Sequence, residues 1–454
     1  MDKDWIRLIK ISVLFASILG FISYIYYSPL FEREDPKVEL NGTVYWNFKT
    51  PFTFKISDNN EIGDYKVEIK DEGKITTVAQ GEVVSRQKEF NITLSYPKNA
   101  FLPKTPEAKM LIEVSDRSLW NFFRPNTARL ELRVICDKTP PVVSVISNSY
   151  AITRGGSSVV IFEAKDPNLK DVYIKTANGR VFDAQPFVKK GFYVSLIAWE
   201  LEDSRFSASV VATDLAGNKS SVPIRYFLRD MAYKDAKIEL KDNFLNSKIM
   251  ELSAAMQDTP QTTPLDRFVY VNNTMREANE KLIERVTTRI GNNSVDSFFT
   301  EPFLPIKNAS VVGSFGDHRS YILNGKVISE SYHKGVDFAS VKEDIIVSPN
   351  NGVVIFAEPN GIYGNTSIVY HGLGLFTLYG HCSSFLAKTG ELVKKNQPIA
   401  KTGLSGLAFG DHLHYGVLIQ GVEVRPVEWL DAKWIKLNIT NVINEAKDII
   451  SGMK

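Results

Sequence analysis

The chain has 454 residues, a formal net charge of +2, 44% hydrophobic residues and 23% charged residues. Such values belong to folded globular protein and exclude a disordered, collagen-like or polytopic membrane chain; the near-zero charge leaves no footprint for nucleic acid. At roughly 100–200 residues per domain the length predicts about two to four domains, and the two cysteines exclude a disulfide scaffold or a multi-cysteine metal cluster.

Residues 11–30 carry no charge and end in Tyr24, Tyr26 and Tyr27. Twenty uncharged residues at a helical rise of 1.5 Å span about the 30 Å of a bilayer core, with the tyrosines at the level of an aromatic belt. Lys3, Arg7 and Lys10 precede the run, which places a short tail in the cytoplasm and the bulk of the chain outside. The stretch Ser23-Tyr24-Ile25-Tyr26-Tyr27-Ser28 is too bulky for a small-residue cleavage site, which favours an uncleaved anchor over a signal peptide.

Beyond the anchor, Tyr65/Val67/Ile69, Phe90/Ile92/Leu94 and Leu130/Leu132/Val134 alternate with polar residues, the period of half-buried strands. Cys136 continues the last series as a small core residue. Lys138-Thr139-Pro140-Pro141 marks a boundary. Apolar runs at 142–146, 159–164, 172–174, 192–197 and 206–212 follow, separated by Gly155-Gly156, Asn178-Gly179 and Gly217-Asn218; short strands with regular turns predict a β-sandwich. Val271, Met275, Ala278, Leu282, Val286 and Ile290 recur at helical spacing and predict an amphipathic helix packing on its neighbours. Glycine-punctuated strands return over 300–432. Ile435, Ile439, Val442, Ile443 and Ala446 give a terminal helix one apolar face.

All six histidines lie between His318 and His414. Four of them form a pattern: H-x-x-x-D at His333 and Asp337, a single His381 after Tyr379-Gly380, and H-x-H at His412 and His414. Residues two apart in a strand share a face, so His412 and His414 project side by side, and His333 and Asp337 have the same parity. A catalytic zinc site needs three nitrogen or oxygen ligands and an open position. Four histidines and an aspartate exceed that need, and the surplus is available for proton handling. For His318 and His371, outside the pattern, a solvated or hydrogen-bonded side chain is expected.

These residues also carry a family resemblance. Ser314-Phe315-Gly316, His333-Lys334-Gly335-Val336-Asp337-Phe338-Ala339, Asn351-Gly352-Val353-Val354, Tyr363-Gly364-Asn365, Leu378-Tyr379-Gly380-His381, Thr402-Gly403, Gly410-Asp411-His412-Leu413-His414-Tyr415 and Arg425-Pro426 resemble the lysostaphin-type zinc metalloendopeptidases that cut peptidoglycan cross-bridges. The resemblance covers about a quarter of the chain. It implies an antiparallel β fold with the site in a groove, one Zn2+ held by His333, Asp337 and His414, and His381 and His412 as a non-ligand pair sharing proton transfer and transition-state stabilisation. Cys382 stands where the family commonly has Leu, and strand alternation turns it from the metal. Asn396 stands where the family often has Gly, a turn variant. Upstream, Asp137-Lys138-Thr139-Pro140-Pro141 and Ala212-Thr213-Asp214-Leu215-Ala216-Gly217-Asn218 resemble bacterial immunoglobulin-like modules.

The expected chain is therefore mainly β and multidomain. A cytoplasmic tail and transmembrane anchor occupy 1–35, a β domain 36–137, an immunoglobulin-like sandwich 138–229, a mostly helical connector 230–298, the zinc metallopeptidase domain 299–432 and a terminal helix 433–454. The expected function is hydrolysis of peptidoglycan peptides by an enzyme anchored in the bacterial inner membrane, with its bulk in the periplasm or envelope. A non-catalytic activator or scaffold for other wall hydrolases is the alternative. The upstream domains then serve either as a spacer or as an inhibitory arm that a protein partner moves aside.

Overall fold

A computed structural model describes residues 3–98, 102–254, 263–291, 293–298 and 300–452. The chain divides into two compact units, one holding residues up to Pro141 with the short segments Asp166–Lys170 and Thr213–Lys219, the other holding the rest.

In the first unit a helix over Lys3–Tyr27 carries the uncharged run, and its Asp4–Tyr27 portion is long and apolar enough to cross a membrane, as anchors and signal sequences both are. Two sheets follow. The three-stranded one pairs Phe52–Ser57 with Lys37–Glu39 and Glu89–Leu94; the five-stranded one runs in the order Val44–Trp46, Thr127–Cys136, Glu107–Asp116, Ile62–Asp71, Lys74–Glu82. The alternating residues do what their period demands, with Val67, Ile69, Ile92, Leu94, Leu132 and Val134 joining Trp46 and Met110 in one core. Cys136 packs on its edge.

In the second unit, Val142–Asn148, Ser157–Lys165 and Phe192–Ala198 build one four-stranded sheet with Gln185–Pro186. A second four-stranded sheet joins Val181–Asp183, Leu169–Thr176, Ala208–Asp214 and Lys219–Ile224. Further on, Asp235–Glu239 pairs in parallel with His318–Leu323, which pairs antiparallel with Lys326–Tyr332. The large C-terminal sheet is antiparallel at every pairing: Ser310–Gly313, Val336–Ala339, Leu413–Ile419, Leu375–Cys382, Asn365–Tyr370, Gly352–Pro359 and Leu392–Val393, with Val422–Val424 also on Leu413–Ile419. Every residue of its two central strands, Leu413–Ile419 and Leu375–Cys382, is buried. Asn396 has φ +63, a left-handed turn position that asparagine tolerates in place of glycine.

The connector helix departs from its expected stripe. It runs as an α-helix over Pro264–Tyr270, a π-helical turn over Val271–Met275 and an α-helix over Arg276–Thr287. Val271 and Met275 are buried as the spacing predicts, Leu282 and Val286 are partly buried and pack on the same core, the fully buried positions there are Ile283 and Thr287, and Ala278 is exposed. The π turn inserts one residue into the helical repeat, so the inward face moves on by one position. Ile290 lies past the helix end. The terminal helix keeps its stripe: Ile435, Ile439, Val442, Ile443 and Ala446 are all buried.

Candidate metal centre and groove

Strand register brings the site together. Asp337 is the cross-strand partner of His414 and of Gly313, and His414 is the partner of Gly380. Direct partners share a face with Cβ atoms about 5 Å apart, so four adjacent strands present the row Gly313, Asp337, His414, Gly380. Glycine at two of these places leaves room for the Asp337 and His414 side chains; a Cβ on Gly313 would lie 2.4 Å from Asp337 Oδ2. His333 enters from the loop before Val336–Ala339.

His333 Nε2, Asp337 Oδ1 and His414 Nδ1 converge, at 2.9 Å from His333 to Asp337 and 3.0 Å for the other two separations. All three residues are buried. His333 Nδ1 lies 2.8 Å from the carbonyl of Ser314. A carbonyl cannot donate, so Nδ1 carries the proton and Nε2 of the neutral ring is a lone pair. The His333 Nε2 lone pair and the Asp337 carboxylate, with His414 Nδ1 at 3.0 Å from both, form a set of two imidazoles and a carboxylate that suits a divalent cation. Burial pushes His414 down to about 4.

His381 and His412 stand beside this triad. Their ring centroids are 4.7 Å apart, and His381 is 5.9 Å from His414. His381 Nδ1 lies 2.8 Å from Ser405 O and His412 Nδ1 lies 2.7 Å from Gly410 O. Both tautomers are thereby set with Nε2 as the free acceptor, and His412 Nε2 is 3.8 Å from Asp337 Oδ1. Burial, then the charges of His412 and His414, push His381 down to about 3, so its ring is neutral at neutral pH.

His381 reaches this position through an irregularity. Its neighbour Gly380 occupies the face of His414, so regular alternation would send His381 to the opposite side. Instead Thr366 alone stands opposite Gly380 and His381, where the register shifts, and His381 takes φ +61. This β-bulge re-aims the side chain, at a cost of about 1–2 kcal/mol for a left-handed residue other than glycine. Cys382 stays out of the cluster: its thiol sits 3.4 Å from Tyr379 O, and burial pushes it up to about 12.

The five residues line a groove of about 480 Å³ with Arg276, Arg319, Tyr332, Tyr363 and Phe409 among its walls. Arg319 Nη2 is 3.4 Å from Asp337 Oδ2, and the Tyr363 ring stands edge-on to His414 at 5.4 Å. His318 and His371 lie outside: His318 bonds to Asp235 and stacks on Tyr332, and His371 bonds to Asn351 O and Thr377 Oγ1. Sequence reasoning missed Arg276, Arg319 and the carbonyls of Ser314, Ser405 and Gly410. Arg319 lay two residues beyond Asp317 in the Phe315-Gly316 element, whereas backbone carbonyls leave no residue signal.

Residues 331–426 match Peptidase family M23. The C-terminal region is an M23 peptidase domain. Its relatives include the peptidoglycan DD-endopeptidase ShyB of Vibrio cholerae, 32% identical over 142 residues, 31% of this chain and 32% of ShyB. The DD-carboxypeptidase/endopeptidase Mpg of Neisseria meningitidis is 36% identical over 95 residues, 21% of this chain and 22% of Mpg. Among solved structures, the catalytic domain of the antimicrobial peptidase lysostaphin from Staphylococcus simulans is 25% identical, with 27% of this chain and 92% of that one covered at a TM-score of 0.23. The chain thus spans about a third or less of the length of ShyB and Mpg, and the M23 domain carries all five site residues.

Proposed function

We propose that the chain is a membrane-anchored zinc metalloendopeptidase that hydrolyses the peptide cross-links of peptidoglycan. The observation that carries this reading is the convergence of His333 Nε2, Asp337 Oδ1 and His414 Nδ1 within 3.0 Å of one another, beside two further histidines whose free nitrogens are fixed. The printed names of ShyB and Mpg support the substrate class. The apolar helix supports an inner-membrane anchor with the M23 domain in the periplasm, and residues 36–229 then act as a spacer or inhibitory arm.

His333, Asp337 and His414 would hold the zinc. Zinc would supply a Lewis acid that polarises the scissile carbonyl and acidifies water at neutral pH. His381 offers its Nε2 lone pair to the proton of the attacking water, held in place by Ser405 O. His412, closer to the rim and held by Gly410 O, would act once protonated at Nε2, the imidazolium stabilising the oxyanion or passing that proton to the leaving amine.

The test combines zinc content with digestion of purified sacculi. His414→Ala and Asp337→Ala are expected to lose zinc and hydrolysis together, and His381→Ala and His412→Ala to lose hydrolysis by at least about 100-fold while retaining zinc. Wild-type protein that binds no zinc and leaves sacculi intact would overturn the reading and favour a scaffold.

A further inference from the structure

The π turn in the connector helix does more than shift a stripe. In an α-helix the N–H of Arg276 would bond to Asn272 O, four residues back. Here it bonds to Val271 O and Asn273 O, and Asn272 O accepts Arg276 Nε instead, at 3.2 Å. Asn272 Oδ1 accepts Arg276 Nη2 at 2.9 Å. Asn272 is itself 1% exposed and anchored by its amide on Ser329 Oγ at 2.7 Å, in the strand that leads to His333. Single π turns recur at functional sites, and this one converts a helix carbonyl into one jaw of a guanidinium clamp.

The clamp uses two of the five N–H donors of the guanidinium. Among the described residues Arg276 forms no ion pair, and Glu280, one turn further along, is taken by Lys334 at 2.9 Å. Arg276 lines the same groove as His333, His381 and His414. Tyr363, whose ring stands edge-on to His414 at 5.4 Å, lines that groove as well. Arg276 lies outside residues 331–426, so this chain adds it to the groove from its own connector.

Resting on the peptidase reading above, we propose that Arg276 is a specificity-determining residue: clamped by Asn272 on one edge, its guanidinium takes a carboxylate of the bound peptide on the other. A planar fork held in a half-buried groove suits bidentate carboxylate recognition. The carboxylate can come from a free peptide C-terminus or from an internal residue of the stem peptide, and the test separates the two.

The experiment uses the full chain, zinc-loaded in detergent, with wild type, Arg276→Lys and Arg276→Gln. Substrates are cross-linked stem-peptide dimers with all carboxylates free, with only the C-terminal carboxylate amidated, or with only the internal ones amidated. Wild type is expected to prefer the free form over one of the amidated forms by about 10- to 100-fold in kcat/KM, carried mainly in KM, as hydrogen bonds to a charged group imply. Arg276→Gln is expected to bring that ratio to about one, and Arg276→Lys to restore part of it. A wild-type ratio near one, or the same ratio in Arg276→Gln, overturns the subsite while the peptidase stands. If no form is hydrolysed, the peptidase reading fails instead, and calorimetric titration of the free and amidated dimers decides the subsite: equal affinity of wild type and Arg276→Gln for the free dimer overturns it, and weaker binding by Arg276→Gln upholds it.

Discussion

Replacing His381 by alanine and by glycine separates the cost of the bulge from the loss of the imidazole. Both variants remove the ring, so the difference between them reports the backbone alone. In a regular strand alanine is the more stable by about 0.5–1 kcal/mol, because glycine loses more conformational freedom on folding. At φ +61 an alanine Cβ costs about 1–2 kcal/mol that glycine does not bear. The order therefore shifts toward glycine, with His381→Gly the more stable by roughly 0.75 kcal/mol, within a span of about 0–1.5 kcal/mol, once the entropy is subtracted. Denaturant midpoints of the two full-length variants, followed by intrinsic fluorescence in the presence of chelator, measure the difference. Hydrolysis should be lost in both. An alanine variant as stable as the glycine variant, or more so, would refute the bulge as the device that aims His381.

Two further outcomes follow from packing and charge. A Cβ on Gly335 would meet His414 Nε2 and Cε1 at 2.6 Å and Tyr415 O at 2.7 Å. Gly335→Ala must therefore turn a ligand ring, and chelator competition should show zinc affinity reduced by about 10- to 100-fold with circular dichroism unchanged. Glu428 is buried, with Ser157 N at 3.1 Å from its carboxylate and Arg425 Nε at 3.6 Å, and burial pushes it up to about 7 from 4.5. A raised carboxyl means the folded state holds the proton longer than the unfolded state. Stability should therefore fall as pH rises from about 4.5 to about 7, by about 3 kcal/mol, and level off above. Urea midpoints across that range should show the decline in wild type and its loss in Glu428→Gln.

Residue types whose chemistry is scarce made the site legible. Six histidines in one stretch, at strand-compatible spacings, pointed to a metal site before any geometry was known, and the family resemblance divided four of them and Asp337 into three ligands and a pair beside them. The β strands were equally legible where one face is buried, as at Val67, Ile69, Ile92 and Leu94, because solvent on the other face enforces the alternation. The fixing of each tautomer was not legible. Ser314, Ser405 and Gly410 act through carbonyl oxygens that every residue possesses, and only the fold decides which carbonyl faces which ring. Arg276 was hidden for a related reason, since a charged residue on an amphipathic helix reads as a solvated face until the groove behind it is seen.

The two places where periodicity misleads share one physical cause. Counting by twos from Gly380, the partner of His414, sends His381 away from Asp337 and His414, and counting by 3.6 from Val271 centres the inward face on Leu282 and Val286, which pack on the core one position short of the fully buried Ile283 and Thr287. In each case a single extra residue enters the repeat, as a β-bulge at His381 and as a π turn at Val271–Met275. Either insertion disrupts regular backbone bonding, although a like π turn at Lys436–Thr440 leaves the buried stripe of the terminal helix intact. Each of the two supplies what the regular element cannot. The bulge turns an imidazole toward the ligand row, and the π turn frees the Asn272 carbonyl to hold Arg276 at the groove. Local rules fail at functional sites because the site needs a direction that the repeat does not offer. An off-period residue next to a metal-ligand motif is thus where additional site groups should be sought.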